Sequence, residues 1–197
     1  RVGADSIDGL GHFGDRRRRR RIIMEFNADF WTFLIRYAHV ASGVMWVGLL
    51  WYFNFVQVAA VAGMPDELKP AIGKHIAPRA LFWFRWAALS TVVFGLWLAG
   101  AEGYLGDAMA LGITNSGARE ATIGFGMWLG LIMAFNVWTI IWPNQKKVLG
   151  MVEASDDEKK AAARMALMAS RTNTALSIPM LFAMLGIRHL ADMGVFG

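Results

Sequence analysis

The chain has 197 residues, a net charge of +5 and a mean hydropathy of +0.39, and 56% of its residues are hydrophobic. A soluble domain of this length cannot bury so much apolar side chain, so the composition excludes an ordinary soluble enzyme and indicates a lipid-facing surface. The sequence contains no cysteine, which excludes disulfides, thiolate zinc sites, iron–sulfur clusters and covalently attached c-type haem.

The N-terminal segment, residues 1–29, is a basic tail dominated by consecutive arginines. The run consists of Arg16, Arg17, Arg18, Arg19, Arg20 and Arg21. Such a run is either a solvated charged stretch or a contact for an anionic partner, and we expect it to lie on an acidic subunit surface or on anionic lipid. Nucleic acid is not expected as a partner, because no nucleic-acid-binding module accompanies the run.

Residues 30–197 form the predicted membrane domain. Four apolar stretches approach or exceed the roughly 20 residues that an α-helix needs to cross a bilayer. They are Phe30–Ala59, Ala80–Gly100, Thr122–Trp142 and Thr172–Leu190. Their apolar runs are continuous and do not alternate with period two, which favours helices over a barrel. The sequence therefore predicts an all-α, integral membrane four-helix bundle in contact with membrane lipids.

One line of sequence occurs twice. MWVGLLWYFNF at 45–55 and MWLGLIMAFNV at 127–137 share six of eleven residues at an offset of 82. Because this offset covers two spans, the first and third helices would cross the membrane in the same direction, and we expect two duplicated helix pairs. Chance matching in a Leu-, Phe- and Gly-rich sequence is the alternative. The third span also contains Gly126-x-x-x-Gly130, a spacing that permits close approach between membrane helices.

His39 is the ionisable residue that falls deepest in the first predicted span, about 15 Å from its start at 1.5 Å per residue. On a helix it shares a face with Gly43 and Trp46, and an imidazole followed by a glycine one turn later suits a haem. His189, near the end of the fourth span, enters the same leaflet as a second candidate ligand. Three interpretations stay open for His39: a hydrogen-bonded structural histidine, a ligand of haem b, and a quinone or proton contact. No metal site is predicted.

A second group of candidates is polar and lies in the other leaflet. Its members are Asn54, Gln57, Arg85, Asn136, Arg171 and Asn173. Such a cluster either binds a lipid phosphate or an anionic substrate, or joins the helices by hydrogen bonds. The sequence favours the second interpretation, with Arg85 in FWFRW stacked on aromatic rings or extended to the interface.

Four segments carry a family resemblance: RYAHVASGVMWVGLLWYFNFVQ, APRALFWFRWAALST, NVWTIIWPNQKK and RTNTALSIPMLF. Together they resemble the membrane domain of the bacterial urate oxidase (urate hydroxylase) family. The H-V-x-x-G-x-x-W-x-G line around His39 is more distantly similar to membrane protoporphyrinogen oxidases and copper-resistance membrane proteins. By that resemblance His39 would be the position associated with haem or metal, and the chain would lie in the bacterial inner (cytoplasmic) membrane.

Two functions are compatible with these features. The first is an accessory subunit of a larger respiratory or photosynthetic electron-transfer complex, which would contact other membrane subunits. The second is a membrane redox enzyme of the urate oxidase type that uses haem b or quinone at His39 and passes electrons to a separate cytochrome. No catalytic residue is predicted for either.

Overall fold

The computed structural model describes the backbone of residues 11–113 and 117–194. Side chains are described for 29–113, 117–186, 190 and 193–194. Within these ranges the chain is helical and contains no β-strand, which confirms the predicted all-α class. The side chains of the arginine run and of His189 lie outside the described residues.

Four long helical segments follow one another along the chain, and we call them helices A to D. Helix A (11–62) consists of α1 (Gly11–Trp51), a π-helical segment π1 (Tyr52–Gln57) and α2 (Val58–Ala62). Helix B (69–101) consists of α3 (Lys69–Ala71), π2 (Ile72–Ile76) and α4 (Ala77–Ala101). Because α1 begins at Gly11, its backbone runs without a break across the predicted boundary at residue 29.

A short helix, α5 (Leu105–Met109), lies in the connection between helices B and C. Helix C (118–148) consists of α6 (Ala118–Asn136), π3 (Val137–Ile141) and α7 (Trp142–Val148), and helix D is α8 (Asp156–Asp192). The connections 63–68 and 149–155 therefore lie at one end of the bundle, which we call the lysine end, and α5 lies at the other, the α5 end.

All three π segments lie near the lysine end, and two of them precede a proline by a few residues. A proline has no N–H to donate, and in an α-helix its ring clashes with the carbonyl oxygen of the residue four positions earlier. That carbonyl belongs to Lys74 in π2 for Pro78, and to Thr139 in π3 for Pro143. The wider π turn accommodates the ring without breaking the helix.

Three helices are long and apolar enough to cross a bilayer, which is consistent with a membrane protein. They are Asp29–Ala62, Lys69–Ala101 and Ala118–Val148. Each is longer than the predicted span it contains, because a helix continues through charged residues at which an apolar stretch ends. The fourth predicted span, Thr172–Leu190, lies within α8 and is not among them in the described part of the chain. It stays a prediction.

The helices pack in two main pairs, α1 with α4 and α6 with α8. At the second pair, a Cβ at Gly126 would lie 3.1 Å from the Cβ of Ala183, so the predicted close approach is confirmed there. A Cβ at Gly130 would meet nothing within 4 Å. The buried core joins all four helices, with Trp46, Phe84, Met133 and Ala169 among its members.

Candidate functional site

His39 joins helix A to helix B. Its Nδ1 atom lies 2.8 Å from the carbonyl oxygen of Thr91. Since a carbonyl only accepts, Nδ1 carries the proton and donates this bond, which leaves a lone pair on Nε2. Gly95 makes room for the ring, because a Cβ there would lie only 2.7 Å from Cε1 of His39. The imidazole therefore acts as a wedge between two helices.

The predicted face around His39 packs inward. Trp46 is 1% exposed, and its indole Nε1 is buried with no hydrogen-bond partner among the described residues. Gly43 is less constrained than Gly95, since a Cβ there would make an ordinary 3.7 Å contact with Cγ2 of Thr91. The structure thus places His39, Gly43 and Trp46 on the inner side of helix A, and a role for His189 as partner ligand stays a prediction.

Asn136, which is partly buried, and Asn173 form a hydrogen-bonded pair between helices C and D. Asn136 Nδ2 donates to Asn173 Oδ1 over 2.9 Å, and Asn173 Nδ2 donates to the Met133 carbonyl over 2.9 Å. Asn173 is fully buried. The oxygen and the nitrogen of the Asn173 carboxamide therefore both join the helices, at about 0.6 kcal/mol for a typical interhelical hydrogen bond in a membrane protein.

Helix A is joined to helix D in the same way. Asn54 Nδ2 donates to the Leu50 carbonyl over 2.9 Å and to Ser170 Oγ over 2.8 Å. Trp51 Nε1 donates to Ser177 Oγ over 2.9 Å. The serines were not predicted as site residues, although Ser170, Asn173 and Ser177 follow an i, i+3, i+7 spacing that places them on one face of helix D.

The two arginines of the predicted polar cluster are not joined to these amides. The guanidinium carbon of Arg85 lies 3.9 Å from the ring centroid of Trp142 and 5.3 Å from that of Phe82. The Arg85 guanidinium thus makes a cation–π contact with the face of the Trp142 ring. Arg171 is exposed on helix D. Gln57 lines a cavity beside Asn54 at the lysine end.

A charged group lies at the α5 end, beyond the apolar part of helix B. Arg36 Nη2 and Glu102 Oε1 form an ion pair at 2.6 Å. Burial raises the pKa of Tyr104, and the charge of Glu102 raises it further, while Arg36 and Arg119 act in the opposite direction. The Tyr104 hydroxyl therefore stays protonated at neutral pH.

The described residues bring no three His, Asp or Glu side chains together in an arrangement that could hold a metal ion. The intramembrane polar groups described above are mainly those of one imidazole, several carboxamides and two serine hydroxyls. These groups bind by hydrogen bonds, and only the imidazole among them is a strong ligand for iron.

Comparison with known proteins relates part of the chain to a known family. Residues 107–193 match the family model described as urate oxidase N-terminal. The match runs from α5 to the end of helix D, less than half of the chain, and so includes Asn136 and Asn173 but not His39. The predicted resemblance to the urate oxidase family is confirmed over these residues. No curated protein and no solved structure matches the chain.

Proposed function

We propose that the chain is a four-span bundle of two related helix pairs, A–B and C–D. Helix D supports this proposal because it packs along α6 and α7 through a buried polar face. The repeat supports it because each copy of the repeated line leads into a π segment beside its asparagine. Asn54 lies within π1, and Asn136 immediately precedes π3.

We further propose that this bundle is an accessory subunit of a bacterial inner-membrane electron-transfer complex, built on a urate-oxidase-type membrane domain. The observation that carries the proposal is the use of the inner polar side chains. His39, Asn54 and Asn173 each bond a neighbouring helix, which is the arrangement of a structural bundle. Its outer face presents large aromatic side chains, such as Trp83 and Trp97, to lipid or to neighbouring subunits.

The arginine run would then contact the acidic surface of another subunit or anionic lipid. This charge would hold the N-terminal end of helix A at a polar boundary, since each basic residue near an anionic membrane surface contributes about 1 kcal/mol.

Purification from native membranes in a mild detergent tests the accessory role. We expect a stoichiometric partner of different sequence and a particle mass well above the 21.8 kDa of the chain. A Trp83→Ala, Trp97→Ala double variant should release the partner if these rings contact it. A homogeneous particle at the mass of one chain would contradict the proposal.

A second candidate is the redox enzyme with haem b at His39, and one observation favours it. A histidine that ligates a metal through Nε2 commonly donates its Nδ1–H to a carbonyl or carboxylate, as His39 does to Thr91. Bound there, haem would supply one-electron chemistry, while Thr91 would orient the imidazole. The described residues do not identify a second axial ligand.

A reduced-minus-oxidised visible spectrum of the purified chain separates the two candidates. The redox candidate predicts a haem band that disappears in His39→Ala and persists in His75→Ala, a histidine exposed near the lysine end. A folded wild-type chain with a flat spectrum would overturn haem binding and would leave the accessory role unaffected.

A further inference from the structure

A cavity of about 130 Å³ lies between the four helices at the lysine end. Its polar lining comes from Asn54, Gln57, Gln145 and Ser170. The rest of the wall is apolar and includes the rings of Phe53 and Phe84, which meet edge to face at 5.7 Å. In another protein an engineered apolar cavity of about 150 Å³ binds benzene, so this volume is close to that of one six-membered ring.

Two oxygens in the lining residues have no partner. Asn54 Oδ1 and Gln57 Oε1 are buried without a hydrogen bond from any described residue. The carboxamide of Asn54 cannot simply be reversed, because its Nδ2 donates to the Leu50 carbonyl and Oδ1 would then oppose that carbonyl. Asn54 therefore offers an acceptor. Burying an acceptor without a donor is unfavourable, so a molecule that brings donors to this site relieves that cost.

The hydroxyl of Ser170 adds the complementary group. Its oxygen already accepts a bond from Asn54 Nδ2, which leaves its proton free to be donated. No charged side chain is among the residues that line this cavity in the described part of the chain. A charged ligand would thus be desolvated without a counter-charge, and the site favours a neutral one.

From these features we propose that the cavity binds a neutral, single-ring aromatic molecule that carries hydroxyl donors, a hydroquinone-type headgroup. The ring packs against Phe53 and Phe84, and the hydroxyls donate to the carboxamide oxygens of Asn54 and Gln57. The corresponding quinone has carbonyl oxygens in place of hydroxyls. These can accept from the Ser170 hydroxyl, but they leave the carboxamide oxygens of Asn54 and Gln57 without a donor. The site therefore selects the reduced form, and it does not depend on a role for His39 or on the proposed accessory function.

The test is a titration of the full chain in detergent with hydroquinone, with protein-free micelles as the blank. Gln57→Met keeps the length of the side chain and removes the acceptor, and Ala166→Leu fills the cavity from helix D, where Ala166 is 1% exposed. We expect hydroquinone to bind the wild type, to bind Gln57→Met about ten-fold more weakly, as loss of one hydrogen bond implies, and not to bind Ala166→Leu detectably.

Asn144→Leu is the matched control, because among the described residues its amide bonds to the Ile140 carbonyl of its own helix and does not line the cavity. Its affinity for hydroquinone should equal that of the wild type. 1,4-Dimethoxybenzene, in which both hydroxyl protons are replaced by methyl groups, should bind at least ten-fold more weakly. Binding no greater than in the blank, which is the result for a cavity that holds only water, would overturn the proposal. Equal affinity in the wild type and Gln57→Met would overturn it as well, and circular dichroism establishes that each variant is folded.

Discussion

Gly95 is the position at which helix B leaves space for the imidazole of His39. A methyl group there would lie 2.7 Å from Cε1 and 2.9 Å from Nδ1 of His39, so the ring must move and its bond to Thr91 must lengthen. We expect Gly95→Ala to destabilise the chain by about 1–3 kcal/mol, the usual cost of overpacking a well-filled contact. Thermal unfolding in detergent, followed by circular dichroism, measures the change.

Gly48→Ala is the control for this substitution, since a Cβ at Gly48 meets nothing within 4 Å. It should leave the midpoint of unfolding unchanged or raise it slightly through helix propensity. In the double variant His39→Ala, Gly95→Ala the added methyl group enters the space left by the ring, so the two effects should not add. Strict additivity would show that His39 does not act as the wedge.

At single residues, the sequence indicated which side chains are polar within the membrane but not which helix each one contacts. His39, Asn54 and Asn136 each bond a neighbouring helix. Arg171 was grouped with the asparagines because it falls in the same predicted leaflet, yet it is exposed. Arg171 and Asn173 are two residues apart on a helix and differ by about 200° in direction, so a similar depth did not place them on one face.

At the scale of elements, backbone carbonyls of α5 contact helix C directly. A Cβ at Gly124 would lie 1.9 Å from the carbonyl oxygen of Ala108, and Trp128 Nε1 donates to the Met109 carbonyl over 3.1 Å. Because a backbone carbonyl cannot rotate away as a flexible side chain can, Gly124→Ala should displace α5 from helix C. We expect faster hydrogen exchange at the amides of 105–112, while those of α6 stay protected.

Gly130→Ala serves as the control on the same helix, since a Cβ added at Gly130 would meet nothing within 4 Å. It should leave exchange in α5 unchanged. Unchanged exchange in Gly124→Ala would mean that α5 is not anchored through this contact.

The start of helix D is stabilised by a capping box. Ser155 N donates to Glu158 Oε2 over 2.8 Å, and Glu158 N donates to Ser155 Oγ over 3.3 Å. The Ser155 backbone N–H, and after it the Ser155 side chain, lower the pKa of Glu158 by hydrogen bonding to its carboxylate. Because the folded-state pKa is below the unfolded one, the stabilisation is complete above the unfolded value and is lost as pH falls through the folded value.

Carboxyl NMR of Glu158 measures this effect directly. We expect its pKa to lie below the usual range in the wild type and to rise in Ser155→Ala, with fraying of the first turn of helix D on acidification. Glu158→Gln should reduce the pH dependence of that fraying, and the remainder comes from Asp156 and Asp157 in the same turn. An ordinary pKa for Glu158 in the wild type would contradict the capping box.

Element types were predictable because long apolar runs have few folded alternatives in a bilayer. The π segments were not predicted, although Pro78 and Pro143 were a usable signal for π2 and π3. A π segment changes the direction in which the side chains that follow it point around the helix axis. A helical projection at 100° per residue assumes 3.6 residues per turn, so it does not give the direction of Gln57, the last residue of π1, relative to His39 in α1.

For the whole molecule, the number of spans depends on helix D. If helix D crosses the membrane, residues 153 and 193 lie on opposite sides, and residue 153 lies on the side of residue 67. The native sequence contains no cysteine, so single variants Glu67→Cys, Glu153→Cys and Met193→Cys can be labelled without further changes. In right-side-out vesicles an impermeant maleimide should distinguish Met193→Cys from the other two. Labelling of all three from one side would show that helix D does not cross.

The pairing of helices could be anticipated from the repeated line, whereas the cavity at the lysine end could not. Its volume depends on how four helices meet, and its chemistry depends on which amide oxygens are left after the interhelical bonds have formed. The sequence contains the carboxamides of Asn54 and Gln57 but not the choice of partner for each. Packing brings the Leu50 carbonyl and the Ser170 hydroxyl to Asn54, and both accept from its Nδ2 atom.

The π segments also bear on how chains of this type can gain and lose residues. A π turn holds one residue more than an α turn, because its hydrogen bonds connect i to i+5 rather than to i+4. A one-residue deletion within Tyr52–Gln57 or Val137–Ile141 would therefore yield an ordinary α-helix of nearly the same length. Because the π turn already accommodates the extra residue within one turn, the residues beyond the deletion would keep nearly the same direction. A relative aligned with a single gap at these places would therefore cross the bilayer as well and present the same side of each helix to its neighbours, whereas a deletion in a regular α turn would rotate everything beyond it by about 100°.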